Sequence, residues 1–162
     1  NLKARIAFCN MSYGIAEAHY KVLAEGQENN FDPANMYVLS LVESKEPEKK
    51  KLAQEVATRT FRALPDNVIA LATLGYVQLK SGDLEQAKTI FGKLALSGGM
   101  SPEIDFFLAS FYEATGDNDK AIKLLETGVK REGMFLYRKP AQQLLDKINK
   151  ASGSLPTPPS KQ

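Results

Sequence analysis

Tryptophan is absent from this chain of 162 residues, and cysteine and histidine each occur once. The single cysteine, Cys9, excludes an internal disulfide. That suits a reducing compartment without excluding an oxidising one. The single histidine, His19, excludes a histidine pair or a histidine-based metal site within one chain. No apolar run approaches the roughly 20 residues a membrane-spanning helix needs, and no signal-peptide pattern is visible. Neither sign of charge is in excess: 21 basic against 19 acidic residues leave a net charge of +2. Such a balance, even at a pI near 8.6, is not the electrostatic footprint of a nucleic-acid-binding domain. The one basic run, Lys49-Lys50-Lys51, lies among Glu46, Glu48 and Glu55 and reads as a solvated helix face. The chain opens on Asn1 rather than Met, so we expect a processed or truncated piece with a targeting segment upstream.

The remaining composition is that of an ordinary globular protein, 43% hydrophobic and 25% charged. Its length suits one domain or one solenoid segment. The stretch Leu71–Phe91 sets the pattern. Leu71-x-x-Leu74-Gly75 is followed by Gly82-Asp83 and then Ala87-x-x-x-Phe91. A step of 34 residues carries Leu74 to Leu108, Gly82 to Gly116, Asp83 to Asp117, Ala87 to Ala121 and Phe91 to Leu125. One step back places Ala53 beneath Ala87, and Pro65, Gly99 and Gly133 keep the same interval. A fixed period of this length marks stacked helix-turn-helix units, because one pair cannot bury its apolar face alone.

In chain order, Asn1–Gly26 reads as a degenerate helix pair broken at Gly14. Leu2, Ile6, Cys9 and Tyr13 form one stripe, and Ile15, Ala18, Val22 and Leu23 the other. Ala18-x-x-x-Val22 stands in the place of Ala87-x-x-x-Phe91. Asp32-Pro33 begins a helix over about 34–42, with Tyr37, Val38 and Leu41 inward. Pro47 opens its partner, about 48–64, which carries Leu52, Ala53, Val56, Ala57 and Phe61. Val68–Lys80 follows. Gly82 suits the left-handed residue after a helix end, and Asp83 with Gln86 forms a capping-box pattern for a helix reaching about Leu96. Ser97-Gly98-Gly99 breaks that helix. Ser101-Pro102-Glu103 starts the next, with Ile104, Leu108 and Phe111 inward. After Gly116-Asp117, Ala121, Leu124, Leu125 and Val129 form another buried stripe. A last helix, opened by Pro140, turns Leu144, Leu145 and Ile148 inward and Gln142, Asp146, Lys147 and Lys150 outward, as the cap of a stack requires. The expected units are 1–33, 34–67, 68–101, 102–135, a capping helix 136–151 and a flexible Pro-rich tail 152–162. Small residues, Gly75 and Ala109 on first helices and Ala53, Ala87 and Ala121 on second ones, allow close helix crossings.

No set of residues spells catalysis. Cys9 lies on an apolar stripe with no ligand partner at metal spacing and reads as a buried, inert thiol. Gly98-Gly99 is not followed by the Lys and Ser or Thr of a phosphate loop. Asp117 and Asp119 lack the glycine and distal glutamate of a calcium loop. We therefore expect neither an enzyme nor a cofactor or metal site.

The order Leu-x-x-Leu-Gly, Gly-Asp, Ala-x-x-x-Phe, then Pro or Gly, repeated at 34, resembles the tetratricopeptide repeat over about residues 34–133. The resemblance is weak over 1–33. Departures are visible: the aromatic near the start of a repeat is Tyr37, then Leu71, then Asp105, and the later tyrosine of the first helix is Gln78, then Tyr112. The resemblance implies an all-α, right-handed superhelix of about four helix pairs plus a C-terminal capping helix. It also implies that first helices line a concave groove that receives a partner. By register the inward positions are Val38 and Val42, then Ile69, Ala72, Tyr76, Leu79 and Lys80, then Phe106, Ser110 and Glu113, with Tyr76 and Phe106 as aromatic anchors. Relatives that clamp a terminal carboxylate use Lys and Asn at places held here by Val42, Tyr76 and Ser110, so an amphipathic helix or an extended apolar peptide is the expected partner.

The expected function is thus a non-enzymatic interaction scaffold, one module of a larger assembly, with no nucleic acid bound and no direct membrane insertion. Two alternatives stay open: a self-associating module and a helical accessory domain of a larger enzyme. The first rests on an uncapped N-terminal face that would expose Ile6 and Phe8. Similar modules in bacterial export systems lean the setting toward the envelope, with the cytoplasm left open.

Overall fold

The computed structural model describes residues 2–25, 30–95 and 101–153. Among them the chain is all-helical: α1 (Leu2–Cys9), α2 (Tyr13–Glu25), α3 (Phe31–Val42), α4 (Pro47–Ala63), α5 (Val68–Lys80), α6 (Leu84–Ala95), α7 (Pro102–Ala114), α8 (Asn118–Lys130) and α9 (Arg138–Ala151). Successive helices pack against one another, and α3, α5 and α7 also touch one another in series. This is a helical-repeat stack, and α9 seals its last pair. The expected break at 97–99, the loop at 27–29 and the tail from 154 lie outside the described residues.

Local chemistry accounts for the helix ends. Asn67 opens α5 by accepting from the backbone N–H of Ile69 and Ala70 at 2.9 and 3.0 Å. Asp83 accepts from the backbone N–H of Gln86 at 3.0 Å, and the Gln86 side chain donates to the Asp83 carboxylate at 2.8 Å. Ser101 and Asp117 cap α7 and α8 in the same manner. Pro47 and Pro102 stand in first turns, where the missing N–H has no intrahelical partner to lose. Helix α9 begins two residues before Pro140, which therefore also sits in a first turn.

One turn geometry recurs three times. Gly82 and Gly116 have φ of 87° and 84°, and the next N–H reaches back to close the turn: Asp83 to Gln78 O at 2.9 Å, Asp117 to Tyr112 O at 2.8 Å. The same bond joins Ser12 N–H to Ala7 O at 2.9 Å. There the left-handed residue is Met11, with φ of 63°. The break in the first pair is therefore at Met11, and Gly14 lies inside α2. The register follows from the turn. Ala16 and Tyr20, 0% and 1% exposed, hold the place of Ala87 and Phe91, whereas Ala18 and Val22 face out. Left-handed backbone costs a side-chain-bearing residue about 1–2 kcal/mol, against about 0.5–1 kcal/mol for glycine's greater unfolded entropy. Met11→Gly should accordingly raise stability by about 0.5–1 kcal/mol, seen as a thermal midpoint a few degrees higher. A lowered midpoint would show that the Met11 side chain holds the turn.

Small residues sit where helices cross. Ala16, Ala53, Ala87, Ala109, Ala121 and Ala141 are each 0% exposed. A Cβ added at Gly75 would lie 2.8 Å from Ile90 Cγ2 and 3.2 Å from the Phe91 ring, so α5 and α6 approach more closely there than alanine allows. Helix α1 follows the same rule and departs from the expected stripe: Ala4, Ala7 and Phe8 are buried, whereas Leu2 and Ile6 are 69% and 50% exposed. Cys9 is half-buried rather than buried, and Phe8, expected on an open end face, is 1% exposed.

Candidate functional site

Most of the residues expected to line a groove are buried by the chain itself. Val38, Val42, Ala72, Tyr76 and Phe106 are buried, with Tyr76 at 2% and Phe106 at 5% exposure. Leu79, Lys80, Ser110 and Glu113 are half-buried, and Ile69 is exposed. The two aromatic anchors do come together, with ring centroids 5.9 Å apart. They are covered by Tyr137, a residue of the segment between α8 and α9 that sequence reading left without a role. Its ring stacks on Phe106 at 4.7 Å and meets Tyr76, Phe107 and Phe8 edge-on at 5.8, 5.3 and 5.1 Å. Phe8 in turn meets Tyr13. An intact aromatic cluster thus joins α1, α2, α5 and α7 across the inner side.

The segment carrying Tyr137 is held from several directions. The Arg138 guanidinium donates to the carbonyls of Val129, Arg131 and Gly133, the last two at 2.8 and 3.0 Å. Leu136 N–H donates to Glu103 Oε1 at 3.2 Å. Phe135, 5% exposed, lies against Gly128, and Arg138 lies over its ring. The two ends of the stack also meet: Arg5 touches the Met134 sulfur, and Lys139 Nζ donates to Asn10 Oδ1 at 3.1 Å.

One carboxylate lies within the aromatic cluster. Glu43, just past α3, accepts from Tyr76 Oη–H at 2.6 Å and from Lys80 Nζ at 3.0 Å, with its side chain 10% exposed. Burial pushes the Tyr76 and Tyr137 phenols well above their ordinary pKa, and the Glu43 charge adds to the rise. Tyr13 is raised for the same two reasons, in the same order. All three therefore remain hydroxyls, and Tyr76 remains a donor. Glu113 and Lys147 pair at 2.6 Å and tie α7 to the cap, while Ser110 Oγ donates to Phe106 O at 2.8 Å within its own helix. No group of three or more His, Cys, Asp or Glu side chains among the described residues is placed to hold a metal ion. No described helix is long and apolar enough to cross a membrane.

Residues 106–133, which span most of α7 and all of α8, match the tetratricopeptide repeat family model. A tetratricopeptide repeat occupies this stretch of the chain. No curated protein and no solved structure matches it. Tetratricopeptide repeats are protein–protein interaction modules, typically non-catalytic. The matched pair contains the turn at Gly116-Asp117 and the buried crossing Ala109 with Ala121 that recur elsewhere in the stack. The register of those turns extends to α1. Counting back from Ala7, Gln78 and Tyr112, whose carbonyls close the three turns, Ile6 corresponds to Val77 and Phe111, and Leu2 to Thr73 and Phe107. Those internal residues are 0%, 8%, 2% and 2% exposed. Phe111 packs on Phe91 of the preceding α6 at 5.3 Å, and Phe107 stacks on Tyr76 of the preceding α5 at 4.2 Å. Leu2 and Ile6 have no such neighbour among the described residues.

Proposed function

We propose that this tetratricopeptide module is a non-enzymatic scaffold whose α1 receives an amphipathic helix against its outer face, supplied by a partner protein or by chain preceding Leu2, as one unit of a larger assembly. The observation that carries this reading is the exposure of Leu2 and Ile6 at register positions that internal repeats bury under a preceding helix pair. The partner helix that fits would repeat the chemistry of α6: a small residue at the crossing and large apolar residues one turn away. The concave groove is the weaker site, because its anchors Tyr76 and Phe106 are already packed under Tyr137.

Capture experiments with Ile6→Glu test the reading. Ile6 is half exposed, so the variant should fold within about 0.5 kcal/mol of the parent. Burying an isoleucine contributes about 1.5–3 kcal/mol, so partner affinity should fall at least about tenfold. Light scattering over a concentration series identifies the case in which the partner is a second copy: the parent would dimerise and Ile6→Glu would not. A folded Ile6→Glu module that holds its partner as tightly as the parent removes α1 from the account.

A further inference from the structure

A hollow of about 400 Å³ opens at the end of the inner side where α3, α5 and α7 begin. The volume lies within the range of small-molecule sites, which combine an apolar wall with a few convergent polar groups. Phe31, Met36, Leu39, Ile69 and Phe107 supply apolar wall. The unpaired hydroxyls of Tyr20 and Thr73 are sealed off and take no part. Arg5, Asp32, Asn35, Ser101 and Glu103 also line the hollow. Two of these polar side chains are engaged. Ser101 Oγ accepts from Ile104 N–H at 3.4 Å, and Glu103 Oε1 accepts from Leu136 N–H at 3.2 Å. The other three are poised without a polar partner among the described residues. Arg5 meets the Met134 sulfur and no carboxylate, and Asp32 has neither an ion pair nor a side-chain hydrogen bond. Asn35 is 9% exposed, and its side-chain amide has no hydrogen-bond partner. That amide is not sealed as the two hydroxyls are, so the hollow is where it meets solvent. A buried amide with its donors and acceptor unmet is rare in native proteins and calls for an occupant.

We infer that this hollow binds a small zwitterion, an α-amino acid with an apolar side chain, whose carboxylate pairs with Arg5, whose ammonium pairs with Asp32 and whose head group hydrogen-bonds to Asn35. Arg5 and Asp32 bring opposite charges to one hollow and form no ion pair with each other. A ligand with a carboxylate alone would meet Asp32 and Glu103 as like charges. A ligand with an ammonium alone would meet the guanidinium. A molecule that carries both charges on neighbouring atoms satisfies each, through the charge-assisted hydrogen bonds that are the strong ones. The Asn35 amide can donate to the carboxylate or accept from the ammonium. The apolar wall then takes the side chain, and Ile69, exposed at 48%, gives it a path from solvent. The site uses neither Leu2 nor Ile6, so it does not depend on the α1 face proposed for a partner helix.

L-Leucine and L-phenylalanine serve as probes. Isocaproate keeps the carboxylate and branched chain of leucine without the ammonium, and isopentylamine keeps the ammonium without the carboxylate. In NMR of the whole chain, millimolar leucine should shift the Asn35 side-chain amide and the Ile69 methyl resonances. It should bind at least about tenfold more tightly than either analogue, the range of one hydrogen bond to a charged group. Asp32→Asn should weaken leucine about tenfold and leave isocaproate level or tighter; Arg5→Gln should weaken leucine equally and leave isopentylamine level or tighter. Asn35→Leu keeps the size and removes the amide. It should weaken leucine about threefold to tenfold. Its unliganded thermal midpoint should stay level or rise, since no bond is lost. Three results would overturn the inference: no shift at Asn35 or Ile69 with leucine or phenylalanine; isocaproate or isopentylamine bound as tightly as leucine; or unchanged leucine affinity in folded Asp32→Asn and Arg5→Gln.

Discussion

Tyr137→Ala should lower stability by about 3–5 kcal/mol, the range for deleting a fully buried aromatic ring. For a chain of this size that is a fall of about 10 °C in the thermal midpoint. Tyr137 is 0% exposed and in ring contact with Phe8, Tyr76, Phe106 and Phe107. Its loss leaves a cavity where three helices from different repeats meet, and that junction cannot collapse without moving whole helix pairs. The control is Tyr137→Phe. The Tyr137 hydroxyl has no hydrogen-bond partner, so removing it should leave the midpoint unchanged or raise it. A large loss in Tyr137→Phe would mean that the hydroxyl is engaged after all. A negligible loss in Tyr137→Ala would mean that the inner side is open in solution. Thermal melts of the two variants separate these cases.

Glu43→Ala should cost about 2–3 kcal/mol, mostly through what it leaves behind. Tyr76 is buried, and its hydroxyl would lose a 2.6 Å bond to a carboxylate. Hydrogen bonds to charged groups contribute about 1.5–3 kcal/mol, and an orphaned buried hydroxyl costs a similar amount. Lys80 contributes less, because its side chain is 36% exposed and water can replace the carboxylate. A double-mutant cycle of Glu43→Ala with Tyr76→Phe should return a coupling of about 1–2 kcal/mol, and the cycle with Lys80→Ala well under about 1 kcal/mol. If the Lys80 coupling exceeds the Tyr76 coupling in urea melts, the ion pair rather than the phenol bond holds the cluster.

Much of this architecture is legible from residue types. Asn67, Asp83, Ser101 and Asp117 cap helices because their side chains reach N–H groups two or three residues ahead. Gly82 and Gly116 turn the chain because they take positive φ without penalty. The alanines at crossings recur because backbones must approach closely. Each of these is a local rule, and local rules survive being read one stretch at a time.

The first pair departs from its expected register where a local rule lacks its usual residue. Met11 occupies the left-handed position that glycine holds in two later turns, so the register could not be taken from glycine spacing. The apolar stripe of α1 misled for a different reason. Leu2 and Ile6 are periodic, but periodicity says which residues share a face and not whether anything lies against it. Tyr76 and Phe106 pose the same problem inverted: they share an inner face, and a residue remote in sequence occupies it.

Sequence alone dictated the helices, their turns and the repeat, since propensity, capping and crossing size act within or between adjacent elements. It did not dictate which apolar faces stay free. That depends on Tyr137 reaching back across three repeats, on Arg138 clamping the segment that carries it, and on Glu43 meeting Tyr76. Contacts between residues so far apart in the chain leave no spacing to read. They exist only because the stack brings α1, α5, α7 and the approach to α9 around one point.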